Sequence, residues 1–332
     1  MREAGHLVAS FVVALGLAAG IANAHAAPSG TLTVYTSQPS DQIAKVVEAF
    51  RKIHPAVKIE LFRSGTTEVM NKLQAELAAG RPQADVVLIA DAVAITQLKN
   101  DGRLLAFPDA PADKVPPALV DPDKTFFGTK LITTGIVINT KLVPSAPKSW
   151  KDLAVPQTAA KTILAHPLYS GAAVIHIGTM VQQPEFGWGY FETLAKNGTI
   201  AGKGNGAVIE AVARGEKAYG IIIEYMAFNA KNKGSPVEFV FPQEGVSAIT
   251  QPVAVLKTSR NVEAAKAFVA WQLSKEAQEQ SVAQGYFPIF ADVAPPKGYP
   301  PVSLLKIMSG DLKAMLAQDQ QNKRKFTELF GG

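Results

Sequence analysis

An α/β fold of two lobes, with mostly parallel sheets covered by helices on both faces and two hinge strands between the lobes, is predicted by three observations. Strand-like runs alternate with amphipathic helical runs, the pattern that builds parallel sheets. The chain, at 332 residues, is long for a single core. Two extended stretches, near 130–138 and 243–252, bracket one complete α/β unit. The lobes are then 28–130 together with 244–332, and 131–243 between them. A joint of two strands can bend, because few residues need change their dihedrals to close a cleft.

Residues 1–26 are of different composition from the rest. Arg2 gives a basic start, Leu7–Ile21 is almost wholly apolar, and Ala24-His25-Ala26 offers a small-x-small cleavage site. A signal peptide cleaved near Ala26 is expected, and with it export to the periplasm. Thr31–Tyr35 reads as the first strand, Thr36–Ser40 as a polar loop, and Ile43, Val46, Val47 and Phe50 mark one face of a helix that Pro55 stops. Val57–Phe62 is the second strand. Arg63–Glu68 opens a helix with Met70, Leu73 and Leu77 inward, and Gly80-Arg81-Pro82 ends it before the strand Ala84–Ile89. A proline-rich connection, Phe107–Pro122, leads to the strand-like Lys130–Asn139. Thr162–Ala165 is a strand, helices start at Ala172, around Trp188 and at Ala207, and Tyr219–Ile223 is a β-branched strand buried on both faces. Met226–Asn232 has helical composition, and Phe239–Phe241 and Gly245–Val255 are extended. The remainder reads as helices over Val262–Leu273, Lys275–Gln284, Ser303–Leu316 and Lys323–Phe330.

With 47% hydrophobic and 18% charged residues, the chain is a packed globular protein. It has no cysteine, which removes thiolate metal sites, thiol nucleophiles and disulfides. The net charge of +5 is spread out apart from Lys323-Arg324-Lys325, which reads as a solvated helix face, so no nucleic-acid partner is expected.

Ser64-Gly65-Thr66-Thr67, Ser170-Gly171-Ala172 and Gly204-Asn205-Gly206 each place small or hydroxyl residues at a helix start. Helix starts leave N–H groups unpaired and carry partial positive charge, so each is an ordinary cap or an oxyanion cradle. Split between two lobes and beside strand ends, the three together suggest one ligand facing both lobes. Thr36 and Ser37, and Thr133 and Thr134, add hydroxyls at the same level. Glu224 and Tyr225 end the buried strand, where open α/β sheets bind ligands; the alternative is a capping Glu224 and a core Tyr225. The Gly202–Gly206 run lacks the spacing of a nucleotide loop. His54, His166 and His176 lack metal-ligand spacing. No nucleophile elbow or paired carboxylates indicate an enzyme, and no cofactor is expected.

The segments TLTVYTSQ (31–38), RSGTTEVMNKLQAEL (63–77), ADVVLIAD (84–91), GIVINTKLV (135–143), YSGAA (169–173), AVARGEKAYGI (211–221) and QPVAVLKTSRNVEAAKAFVAW (251–271) resemble those of type-2 periplasmic solute-binding proteins of ABC importers, the group of ferric-ion, phosphonate, organophosphate and thiamine binders. The resemblance implies a monomeric, non-catalytic receptor with two lobes clamping a small solute, and an inner-membrane ABC permease as its partner. It places site loops on Thr36-Ser37, Gly65-Thr66, Ala90-Asp91, Thr133-Thr134, Ser170-Gly171-Ala172, Asn205 and Glu224-Tyr225. A small anionic or zwitterionic solute is favoured, a phosphonate or phosphate ester, with no metal. In the zwitterionic case Glu224 holds an ammonium; otherwise it points away and bonds the backbone of its own helix, or accepts from sugar hydroxyls. Ferric members carry two adjacent tyrosines where this chain has Glu224-Tyr225, so a ferric receptor using Tyr225 and Glu224 is the alternative. An exported enzyme on the same two-lobed fold is the alternative of another class.

Overall fold

The computed structural model describes residues 27–332, so the expected signal peptide, 1–26, lies outside the described residues. The first strand, β1 (Gly30–Thr36), is followed by α1 (Ser40–Ile53), which ends where His54-Pro55 removes the next helical position. Then come β2 (Val57–Arg63), α2 (Thr66–Ala78), β3 (Val86–Leu88) and α3 (Ala92–Asn100). β1 pairs in parallel with both β2 and β3. The first crossing strand, β4 (Phe126–Asn139), begins earlier than its sequence pattern indicates.

The second α/β region comprises α4 (Pro156–Ala159), β5 (Thr162–Ala165), α5 (Gly171–Gln182), α6 (Gly187–Lys196), β6 (Ile200–Gly202), α7 (Gly204–Arg214), β7 (Tyr219–Ile223), α8 (Glu224–Asn232) and β8 (Val237–Val240). The return strand β9 (Ser247–Val255) leads to α9 (Val262–Gln272), α10 (Lys275–Ala283) and α11 (Leu312–Phe330). Asp311 caps α11, its carboxylate accepting from the N–H groups of Lys313 and Ala314. The helix expected over Ser303–Leu316 therefore starts late, after Gly310, and runs unbroken through the stretch read as a separate C-terminal helix.

One continuous sheet runs in the order β2-β1-β3-β9-β4-β7-β5-β6, with β8 also on β4. It is mixed rather than mostly parallel. Pairs within the βα units are parallel. The two crossing strands run against each other and against β3, β7 and β8. β4 and β9 form one ladder from Phe126↔Ala254 to Thr134↔Ser247, with its register shifted between Gly128 and Leu131. A register irregularity in the strands that join two lobes bends the ladder there.

Each lobe has its own core. Leu32, Val34, Phe50 and Phe268 pack on one face of the first sheet region, and Tyr35, Val69, Leu73 and Val87 on the other. Ile136, Leu164, Met180, Phe191 and Ile222 form the second core. Met315 and Phe326 of α11 belong to this second core. The helix packs on α5 and α6 of the second lobe and also on α3 of the first, so the end of the returning segment bridges the two lobes.

Candidate ligand-binding cleft

The strand ends and helix starts converge on a cleft of about 290 Å³ between the lobes. From the first lobe, Ser37, Gln38, Arg63, Gly65, Thr66, Glu68 and Ala90 line it. From the second lobe come Tyr169 to Ala172, Lys203 to Gly206, and Tyr225; Gln251 of β9 and Tyr286 after α10 complete the wall. The volume suits a small solute.

Three helices point their N-termini here. The first turn of α2 begins at Gly65-Thr66, and Glu68 turns back to accept from Ser64 Oγ and, at 3.4 Å, from the Gly65 N–H. On α5, Ser170 Oγ accepts from the Ala173 N–H at 3.2 Å and from Asn205 Nδ2 at 2.9 Å, which wires the starts of α5 and α7 together. Arg63 ends β2 with Nε donating to the Gln38 carbonyl at 3.0 Å. Lys203 faces Glu68 across the cleft mouth, Nζ to Oε1 at 3.8 Å, with both side chains well exposed. Two cations and one carboxylate on the wall, with three positive helix ends, give the cleft a field that favours an anion.

The lobes touch at the rim. A Cβ on Gly171 would run into the Ala90 carbonyl and come within 2.7 Å of Asp91 Cβ, and one on Gly65 would lie 2.9 Å from the Tyr169 carbonyl. Thr67 Oγ1 donates to the Pro167 carbonyl at 3.3 Å. Glycine at 65 and 171 is thus what lets two backbones from different lobes meet.

Of the residues the sequence singled out, Ser37, Gly65, Thr66, Ser170, Gly171, Ala172, Asn205 and Tyr225 come together in the cleft. Ser37 Oγ also accepts from the Ala90 N–H at 3.1 Å, tying two of the loops. Five others do not line it. Thr36 is fully buried and donates to the Leu88 carbonyl at 2.8 Å. Asp91 caps α3, Oδ1 accepting from the Ala94 N–H at 2.9 Å, and burial pushes its carboxyl up to about 6; its neighbour Ala90 is the lining residue. Thr133 and Thr134 sit inside the β4 ladder, opposite Ala248 and Ser247, and Ile132 faces the cleft in their place.

Glu224 is the fifth. It opens α8 fully buried, with Oε2 accepting from the Thr133 N–H at 2.6 Å. Burial pushes its carboxyl up to about 8, so the group is mostly neutral at pH 7. Its carboxyl does not line the cleft, and it bonds the crossing strand rather than only its own helix, a partner the sequence did not indicate. Tyr225, beside it, does reach the cleft, and its ring packs on Tyr286 with centroids 4.2 Å apart. Burial raises both phenols, so both stay protonated near neutrality.

Sequence reasoning missed Arg63, Lys203, Gln38, Gln251 and Tyr286. Arg63 and Lys203 flank the glycine-bearing helix starts, and that adjacency was a usable signal. Gln251 and Tyr286 arrive from the returning chain and had none. Of the histidines, His166 accepts from the Leu168 N–H at Nδ1, 3.0 Å, so Nε2 carries the proton donated to the Gly331 carbonyl at 2.7 Å. His176 is buried against Trp150 and bonds Ser247 Oγ at 3.0 Å. Both are structural. Among the described residues, no cluster of three or more His, Asp or Glu side chains is placed to hold a metal ion.

Comparison with known proteins agrees with this architecture. The model of the bacterial extracellular solute-binding protein family matches residues 36–279. An uncharacterized protein of Haemophilus influenzae is 30% identical over 294 residues, 84% of this chain and 82% of that protein. The Fe(3+)-binding periplasmic protein of Serratia marcescens is 25% identical over 282 residues, 82% of this chain and 80% of its own. The periplasmic binding protein AfuA of Actinobacillus pleuropneumoniae, solved with exogenous fructose-6-phosphate bound, superposes with a TM-score of 0.83 at 25% identity, covering 91% of this chain and 99% of its own. A family match over most of the chain, with the two-lobed fold and the cleft between the lobes, identifies this chain as a member of the bacterial extracellular solute-binding protein family, a periplasmic solute-binding protein of an ABC transporter.

Proposed function

We propose that the protein is the exported, non-catalytic receptor that captures a small phosphate or phosphonate ester and hands it to an ABC permease. The observation that carries this is the convergence of Arg63, Lys203 and the N-termini of α2, α5 and α7 on one cleft. Backbone N–H groups and a guanidinium together suit a tetrahedral oxyanion. The sugar phosphate bound by AfuA supports a phosphate ester over other anions. The residues proposed to touch ligand are Ser37, Arg63, Gly65, Thr66, Ser170, Gly171, Ala172, Lys203, Asn205 and Tyr225. A zwitterion with its ammonium on Glu224 loses support, because that side chain is committed to Thr133. We divide the lobes at the register shift of the crossing strands. The leader 1–26 would direct export, and the receptor would act as a monomer. The test is a thermal-shift and calorimetric screen of residues 27–332 against phosphate esters, phosphonates, ferric citrate, polyamines and thiamine, with Arg63→Ala alongside. A phosphate ester should raise the melting temperature by mass action, and Arg63→Ala should abolish most of that rise. Stabilisation by polyamine or thiamine alone would sink the reading.

The paired rings of Tyr225 and Tyr286 favour a second reading, ferric ion, and the Serratia relative is a ferric binder. Such a site needs several hard, anionic oxygen donors. Glu224, which the ferric alternative required, is turned away, and two cations line the wall. A visible charge-transfer colour with ferric citrate that disappears in Tyr225→Phe would establish iron instead.

A further inference from the structure

Gln38 carries a fixed acceptor. Its Nε2 donates to Gln284 Oε1 at 2.9 Å, and Gln284 Nε2 donates to the Gln42 backbone carbonyl at 3.1 Å. A backbone carbonyl only accepts, so Gln284 must present its NH₂ to Gln42 and its oxygen to Gln38. Gln38 must in turn present its NH₂ to Gln284, which leaves its own oxygen as the free end. Gln38 lines the cleft, is 1% exposed, and its Oε1 has no hydrogen-bond partner in the protein. Gln251 lines the same cleft from the crossing strand β9, but its side-chain amide has no hydrogen bond at either end among the described residues, so that it can turn either its oxygen or its NH₂ to a ligand. Buried polar atoms are almost always satisfied, so the fixed, unpartnered oxygen of Gln38 at a ligand cleft calls for a donor from the ligand.

Building on the phosphate-ester reading, we infer that the ligand's tail carries hydroxyl groups, and that Gln38 selects for them by accepting an O–H hydrogen bond. A buried ammonium would need an anionic partner to offset its desolvation. Gln38 is uncharged, Glu224 does not line the cleft, and Glu68 is held at the mouth by Ser64 and Gly65. A purely alkyl tail would leave the Gln38 oxygen buried and unpaired, the circumstance in which a site built to bond a hydroxyl rejects the analogue lacking it.

The experiment is isothermal titration of residues 27–332 with two pairs of esters, glycerol 3-phosphate against propyl phosphate and glucose 6-phosphate against hexyl phosphate, plus O-phosphoethanolamine. In at least one pair the hydroxylated ester should bind roughly tenfold or more tightly, and more tightly than O-phosphoethanolamine. Gln38→Met keeps the length and removes the acceptor, and should shrink the gap to under about threefold, loosening the hydroxylated ester and relieving the penalty on the alkyl phosphate. Gln284→Met does not alter the cleft wall but releases the Gln38 amide to turn, and should narrow the gap in the same direction. Equal binding of both members of each pair, an undiminished gap in both variants, or tighter binding of O-phosphoethanolamine would overturn the inference and leave the phosphate reading standing. Binding of no ester at all would overturn both.

Discussion

Gly171 and Glu224 show how single positions divide between closing the cleft and supporting it. At Gly171 the α5 helix would accept an alanine, since its backbone is helical, but the new Cβ would meet Ala90 and Asp91 of the other lobe. Gly171→Ala should therefore leave folding almost untouched and weaken capture of a phosphate ester by roughly tenfold or more, the equivalent of ~1.4 kcal/mol. Unchanged affinity by calorimetry would mean that these backbones need not meet. Glu224 acts on stability instead. Its carboxyl is raised from 4.5 to about 8, so between those pH values the native state keeps a proton that the unfolded chain has released. Stability is thus lost as pH rises through that window. Glu224→Gln stays neutral and can still accept from Thr133, so its advantage over the parent should be small at pH 4.5. It should then grow by at most ~1.4 kcal/mol per pH unit and level off above pH 8. Melting curves at pH 5, 7 and 9 check this, and a pH-independent gap would show that the carboxyl titrates normally.

At the scale of elements, what was legible depended on whether local chemistry or distant chain made the decision. The β-branched run of β7 and the Pro55 stop after α1 are local, and both were readable. So were the glycine and hydroxyl residues at the starts of α2, α5 and α7, because caps announce themselves in sequence. Thr133 and Thr134 looked like cleft hydroxyls, yet both are buried in the ladder and it is their neighbour Ile132 that lines the cleft. Nothing within a strand's own sequence says which of its residues reaches the cleft. Tyr286 meets Tyr225 only because the chain returns after β9. Nor does the sequence show that α11 bridges the lobes, packing on α3 as well as on α5 and α6, with Phe326 fully buried against His166, Phe191 and Phe330. The His166 loop leads directly to Ser170, so this helix braces the second lobe's side of the cleft. Phe326→Ala should lower unfolding free energy by ~3–5 kcal/mol in urea titration, as large aromatic truncations in cores do. A loss under ~1 kcal/mol would show that α11 is only lightly docked.

For the molecule as a whole, two strands among the described residues carry the sheet connection between the lobes, and their ladder is irregular at Gly128–Leu131. Lys130 lies in that irregularity, 1% exposed, with Nζ 4.6 Å from the centre of the Tyr286 ring, and burial pushes its ammonium down to about 7. The cleft wall and the bend in the ladder are thereby in contact through one aromatic ring. Across the mouth, the lobes meet at Gly171 with Ala90, at Thr67 with Pro167 and at Lys203 with Glu68. The Lys203–Glu68 pair is exposed and contributes at most ~1 kcal/mol, and more of the contact between the lobes lies beside the cleft, where α11 packs on both α3 and α5 and Asn229 Nδ2 donates to the Gln284 carbonyl at 3.0 Å. The few contacts at the mouth do little by themselves to hold the cleft shut. A ligand bonded to α2 on one side and to α5 and α7 on the other adds the missing free energy to the closed arrangement alone. Small-angle scattering should therefore give a larger radius of gyration for the protein without a phosphate ester than with it, and the saturated profile should match the structure described above. Gly171→Ala should stay expanded at ester concentrations that close the parent. An identical profile with and without saturating ester would mean that the crossing strands are a rigid strut, and that capture does not depend on closure.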